Sequence, residues 1–94
     1  MKKFDNIKNK DFSAYLRLVV NDRPGILSNI TSLFSLNKVS IKRLIQNPIK
    51  SKKFSSLIII THKAKDFNLI KLVNQLNVKK YVIKKPRLIR IEKD

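Results

Sequence analysis

The stretch Tyr15-Leu16-Arg17-Leu18-Val19-Val20-Asn21-Asp22-Arg23-Pro24-Gly25-Ile26-Leu27 decides the fold. Its first part alternates, with Leu16, Leu18 and Val20 on one face and Tyr15, Arg17 and Val19 on the other. That is the period of a strand over residues 15–21. Pro24 then fits the first turn of a helix, where its missing N–H costs nothing. Ile26, Leu27, Ile30, Leu33 and Phe34 follow as one helical stripe, and the helix is expected to stop near Asn37.

Outward from this strand–turn–helix unit the pattern repeats. Val39, Ile41, Arg43 and Ile45 alternate against Ser40, Lys42, Leu44 and Gln46, which predicts a second strand broken by Asn47-Pro48. Residues 47–54 read as a basic loop, and Leu57-Ile58-Ile59-Ile60-Thr61 as a third strand, apolar on both faces. Asp66 is a candidate helix N-cap ahead of the stripe Leu69, Ile70, Val73 and Leu76. A last strand through Tyr81-Val82-Ile83 is expected to be interrupted at Pro86 and to resume over Leu88–Ile91. Residues 1–13, polar and lysine-rich, read as a tail or linker ahead of a domain over residues 14–92. The order is βαββαβ, an α+β ferredoxin-like sandwich with a four-stranded antiparallel sheet and two helices on one face. The second apolar face of the third strand has no helix to cover it, so it calls for a second sheet or a second copy.

Composition bounds the function. Ninety-four residues make one domain with a modest core. There is no cysteine, which excludes disulfides and thiolate metal sites and fits a reducing cytoplasm. No apolar run approaches the roughly 20 residues of a membrane span. The net charge of +16 suggests a polyanion partner on its face, but Lys is used throughout the chain, which also reads as compositional bias with a solubility role. His62, the only histidine, has no second histidine and no cysteine to make a metal site, and reads as a strand-end residue. No phosphate loop, nucleophile motif or paired carboxylates stand out, so neither a catalytic residue nor a cofactor is expected.

Chemistry instead collects at the loop. Gly25 is the only glycine, and directly after Pro24 it would let a small ligand or another backbone approach closely. The amides of Gly25, Ile26 and Leu27 sit at a helix N-terminus, which favours an anion such as an amino acid's carboxylate. Asp22 could accept a bond from an α-ammonium group. The plainer alternative is that Asp22 only caps the helix and Pro24-Gly25 only makes the turn.

The opening stretch resembles the start of an ACT domain. Val39-Ser40-Ile41-Lys42-Arg43-Leu44-Ile45-Gln46, Leu57-Ile58-Ile59-Ile60-Thr61-His62 and Pro86-Arg87-Leu88-Ile89-Arg90-Ile91-Glu92 resemble the ACT domain at the carboxyl end of homoserine dehydrogenases. The resemblance covers residues 15–92. It implies a regulatory module that pairs with a second copy through sheet edge and helices and binds an amino acid between copies. Asp22, Gly25, Ile26 and Leu27 would come from one copy, and Ser40 with Ile41 from the start of the second strand. It implies threonine as the effector, in feedback control of amino-acid biosynthesis, and no membrane or specific nucleic-acid partner. The catalytic part of such an enzyme is absent, so no enzyme activity is expected of the chain alone. It reads as either a piece of the enzyme or a free-standing ACT protein, and an assembly-only role is a further alternative. A βαββαβ RNA-binding domain is the rival from another class, but its aromatic-rich central strands are missing. An acylphosphatase-type hydrolase finds only a faint echo in Arg23.

Overall fold

The computed structural model describes residues 10–49 and 53–91. In chain order the elements are β1 (Asp11–Asn21), α1 (Ile26–Leu36), β2 (Ile41–Ile49), β3 (Phe54–Thr61), β4 (Ala64–Lys65), α2 (Asp66–Asn77) and β5 (Val82–Ile91). The four long strands lie in the order β2-β3-β1-β5, each antiparallel to its neighbour. The two-residue β4 adds to the start of β1, opposite Asp11 and Phe12. This is the expected βαββαβ sandwich with one short extra strand.

Alternation in β1 and β3 builds the core. Leu16 stands between Ile59 and Leu88, and Leu18 is opposite Leu57. Ala14, Leu16, Leu18, Val20, Leu57 and Ile59 are buried against Ile30 and Phe34 of α1 and Leu69, Leu72 and Leu76 of α2. Such a cluster supplies most of the driving force, at about 25 cal/mol per Å² of apolar surface removed from water. The opposite sheet face carries Tyr15, Arg17, Ile45, Ile58, Ile60, Arg87 and Ile89 with no helix over it. Ile58 and Ile60, the second apolar face of the third strand, are half-buried there, and Ile89 of β5 beside them is 51% exposed.

Several expectations need correction. β1 begins at Asp11 rather than Tyr15, because Phe12 packs on the core and Asp11 pairs with Lys65 in β4. Residues 11–13 therefore belong to the sheet, and residues 1–9 of the expected tail lie outside the described residues. In β2 a bulge between Ile41 and Arg43 shifts the phase. Ile41 and Leu44 pack toward the core, and Ile45 turns outward instead of sharing a face with Ile41. Asn47-Pro48 does not break β2: Pro48 lies opposite Ser55, and β3 starts at Phe54. Proline is tolerated because β2 is an edge strand, paired on one side alone. Of the expected basic loop, residues 50–52 lie outside the described residues. Likewise Pro86 does not interrupt β5, which runs through it on the other edge with a register shift against β1.

In α2 the buried stripe uses Leu72, while Ile70 is 42% exposed. Asp66 is not the N-cap but the first helical residue, and makes no capping bond. Its carboxylate accepts from Arg90 Nε on β5, with a longer contact from the second guanidinium nitrogen at 3.4 Å. α1 ends as expected at Asn37, whose side-chain amide donates to the Leu33 carbonyl (2.8 Å) and to Gln75 Oε1 of α2 (2.7 Å). That nearly buried group ties the two helices together.

Candidate functional site

The loop from Asn21 to Leu27 is held from two sides. The Asn21 amide donates to the Tyr81 carbonyl (2.9 Å), and the Asp22 amide to the Lys53 carbonyl (2.8 Å). Pro24 and Gly25 form a turn, so the helix opens at Ile26 rather than at Pro24. Gly25 has φ 88°, the left-handed region that glycine enters without penalty. Nothing lies within 4 Å of where a Cβ would stand. Within one chain, then, backbone sign and not close approach is what calls for glycine.

The helix N-terminus has no side-chain cap. Asp22 is exposed, and its carboxylate neither caps α1 nor pairs with a cation among the described residues, so the plain capping reading fails. The Ile26 amide reaches back to the Arg23 carbonyl at 3.3 Å. The Gly25 and Leu27 amides have no backbone acceptor among the described residues. The loop therefore presents free donors beside a free carboxylate.

Asn21, Asp22, Arg23, Ile26 and Leu27 line a recess with Gln46 of β2, over Val20 and Leu57. It holds about 30 Å³, room for a water or two and too little for an amino acid. Ser40 and Ile41 are elsewhere. They line an open depression of about 540 Å³ at the far end of α1, with Thr31, Ser35 and Lys38. Six residue steps along the chain separate Ser40 from Gln46, about 20 Å in extended backbone. One chain therefore brings Asp22, Ile26 and Leu27 together, with Gly25 at their edge, and leaves Ser40 and Ile41 apart.

Sequence reasoning missed two residues here. Gln46 closes the recess and donates to Ser55 Oγ at 3.4 Å. Tyr81 accepts from the loop through its carbonyl, and its phenol donates to Asn29 Oδ1 at 2.7 Å. Both meet the loop through tertiary contact, which no local pattern announces. Burial pushes the Tyr81 phenol above its ordinary pKa. The fold thus favours the neutral phenol: its contribution is full below about pH 10, where the unfolded chain begins to ionise, and is lost as pH rises through the folded value. Alkaline melting curves should show Tyr81→Phe losing less stability above about pH 10 than the parent; identical curves would refute this.

His62 is exposed, and its amide donates to the Ser40 carbonyl at 2.9 Å. Among the described residues no three His, Cys, Asp or Glu side chains gather as metal ligands, and no helix is long and apolar enough to cross a membrane.

Comparison with known proteins places this geometry. Residues 16–84 match the family model of the AHAS small subunit-like ACT domain. A homoserine dehydrogenase of Bacillus subtilis is 34% identical over 64 residues, 67% of this chain and 15% of that protein. A homoserine dehydrogenase of Helicobacter pylori is 26% identical over 78 residues, 83% of this chain and 18% of that protein. The crystal structure of a homoserine dehydrogenase from Thiobacillus denitrificans superposes with a TM-score of 0.79 at 27% identity, covering 92% of this chain and 19% of that one. The chain thus spans under a fifth of the length of these relatives. The family model and the relatives carry different enzyme names but share one domain type, and from the match over most of its length the chain belongs to the ACT-domain family.

Proposed function

We propose that this domain senses an amino acid, threonine or a close relative, across an interface between two copies, and serves as the cytoplasmic regulatory part of a homoserine dehydrogenase. The observation that carries the reading is the division of the site. One half-site, around Asp22 and Gln46, is too small alone, and the other, around Ser40, lies at the opposite end of β2. β2 is an edge strand with one side unpaired. Antiparallel pairing of two β2 edges about a two-fold axis near Ile45 sets the start of one β2 beside the end of the other. Ser40 and Ile41 of a second copy then approach the loop of the first.

In that arrangement the Asp22 carboxylate accepts from the α-ammonium group. The Gly25 and Leu27 amides receive the α-carboxylate, helped by the positive end of α1. Ser40 from the second copy meets the side chain, where its hydroxyl suits a hydroxy amino acid. Ligand binding favours one dimer geometry, and a linked catalytic domain feels it through a coupling of about 1–3 kcal/mol. RNA recognition finds less support. On the helix-free face Tyr15 and Phe54 sit at opposite ends, with the aliphatic Ile60 directly opposite Tyr15 and Ile58 and Ser56 in between.

Calorimetry with threonine, serine, isoleucine, methionine and lysine, alongside sedimentation, tests the reading. Threonine should bind a dimer, and Asp22→Asn should weaken it about tenfold or more, the loss of one charge-assisted bond. A folded dimer that answers to no amino acid would reduce the role to assembly.

A further inference from the structure

The register shift between β1 and β5 has gathered charge as well as absorbing a proline. Arg17 lies directly opposite Arg87, and the next pair is Val19 opposite Lys84, so Lys85 and Pro86 are squeezed against Leu18 alone. Arg17, Lys84, Lys85 and Arg87 line a recess of about 250 Å³ at this bulge, over Leu18 and Val19. All four side chains are exposed, and none has an anionic partner among the described residues. Like charges directly opposite on neighbouring strands destabilise a sheet. An anion seated between them turns that repulsion into attraction.

We propose that this bulge is a binding site for a small polyphosphate, either an inorganic di- or triphosphate or the phosphate chain of a nucleotide. The two guanidinium groups offer forked donors that match phosphate oxygens, and the two ammonium groups add point charges. The distribution of charge argues for a compact anion over a nucleic-acid strand. The cations converge on one recess, and beside it the same face is aliphatic at Ile58, Ile60 and Ile89. A strand of nucleic acid asks instead for a groove that tracks its backbone. The site lies on the helix-free face, apart from the amino-acid loop, so it stands or falls independently of the sensing role.

Titration calorimetry of the full chain at physiological salt, with inorganic tripolyphosphate and with ATP in separate arms, tests the site. Arg17→Gln/Arg87→Gln should weaken tripolyphosphate binding about tenfold or more, the scale of a lost charge-assisted hydrogen bond. Lys71→Gln/Lys79→Gln removes the same charge from α2 and the turn that follows it, and should change binding less than about twofold, since distant surface charges are screened. Arg87→Lys keeps the charge but loses the fork, and should fall between the two. Equal affinity for both ligands identifies the phosphate chain alone as what is read, and tighter ATP binding identifies a nucleotide. Absence of binding in both arms, equal weakening by the two double variants, or preference for a long single-stranded RNA overturns the proposal.

Discussion

Phe34→Ala is expected to remove about 3–5 kcal/mol of stability. Phe34 is 1% exposed and sits where α1 meets the sheet and α2. Removing the ring deletes its burial and leaves a cavity that the surrounding leucines fill only in part. A domain of this size has about 5–14 kcal/mol in all, so the variant keeps little margin. Its melting temperature should fall by at least about 12 °C in a circular-dichroism scan. Phe67→Ala is the matched control. That ring lies on α2 but is 60% exposed, and its loss should stay within about 0.5 kcal/mol. A Phe34 variant that melts with the parent would mean that α1 does not pack as described.

Thr61→Val should cost about 1–3 kcal/mol although it scarcely changes shape. The Ala14 amide donates to Thr61 Oγ1 at 3.0 Å, and both residues are buried. The β1–β3 ladder runs to the pair Tyr15–Ile60, one residue short of this point. A side-chain hydroxyl thus stands in for the next backbone acceptor. Valine would leave a donor in the core with nothing to bond, which costs its full desolvation. Thr61→Ser keeps the oxygen and should lose less. Urea denaturation measures both, with the midpoint moving and the slope holding. Faster hydrogen exchange at the Ala14 amide in the valine variant alone would locate the effect.

Strand β1 and helix α1 were legible because each shows one clean apolar period to one core. β2 was misphased because a bulge at Lys42 leaves no local mark: the sequence alternates straight through it. Pro48 and Pro86 read as breaks because a proline's effect depends on whether its strand is central or at an edge. That is a property of the whole sheet. Asp66 has the profile of a cap, and its actual partner, Arg90, arrives from β5, 24 residues later. Ile70 and Leu72 are equally apolar, and only the placement of α2 against the sheet chose between them. The candidate site divides in the same way. Asp22, Gly25, Ile26 and Leu27 were readable because they are consecutive or nearly so. Gln46 and Tyr81 join them by folding, and Ser40 stays apart from them within one chain.

The anchoring of the loop bears on how a binding event would travel. Its two leading amides end on carbonyls at Tyr81 and Lys53, one just ahead of the last strand and the other in the connection between β2 and β3. The loop therefore has little compliance of its own. The loop is thereby strapped to the sheet at two separate points, a brace that ties the turn ahead of α1 to both the last strand and the β2–β3 connection.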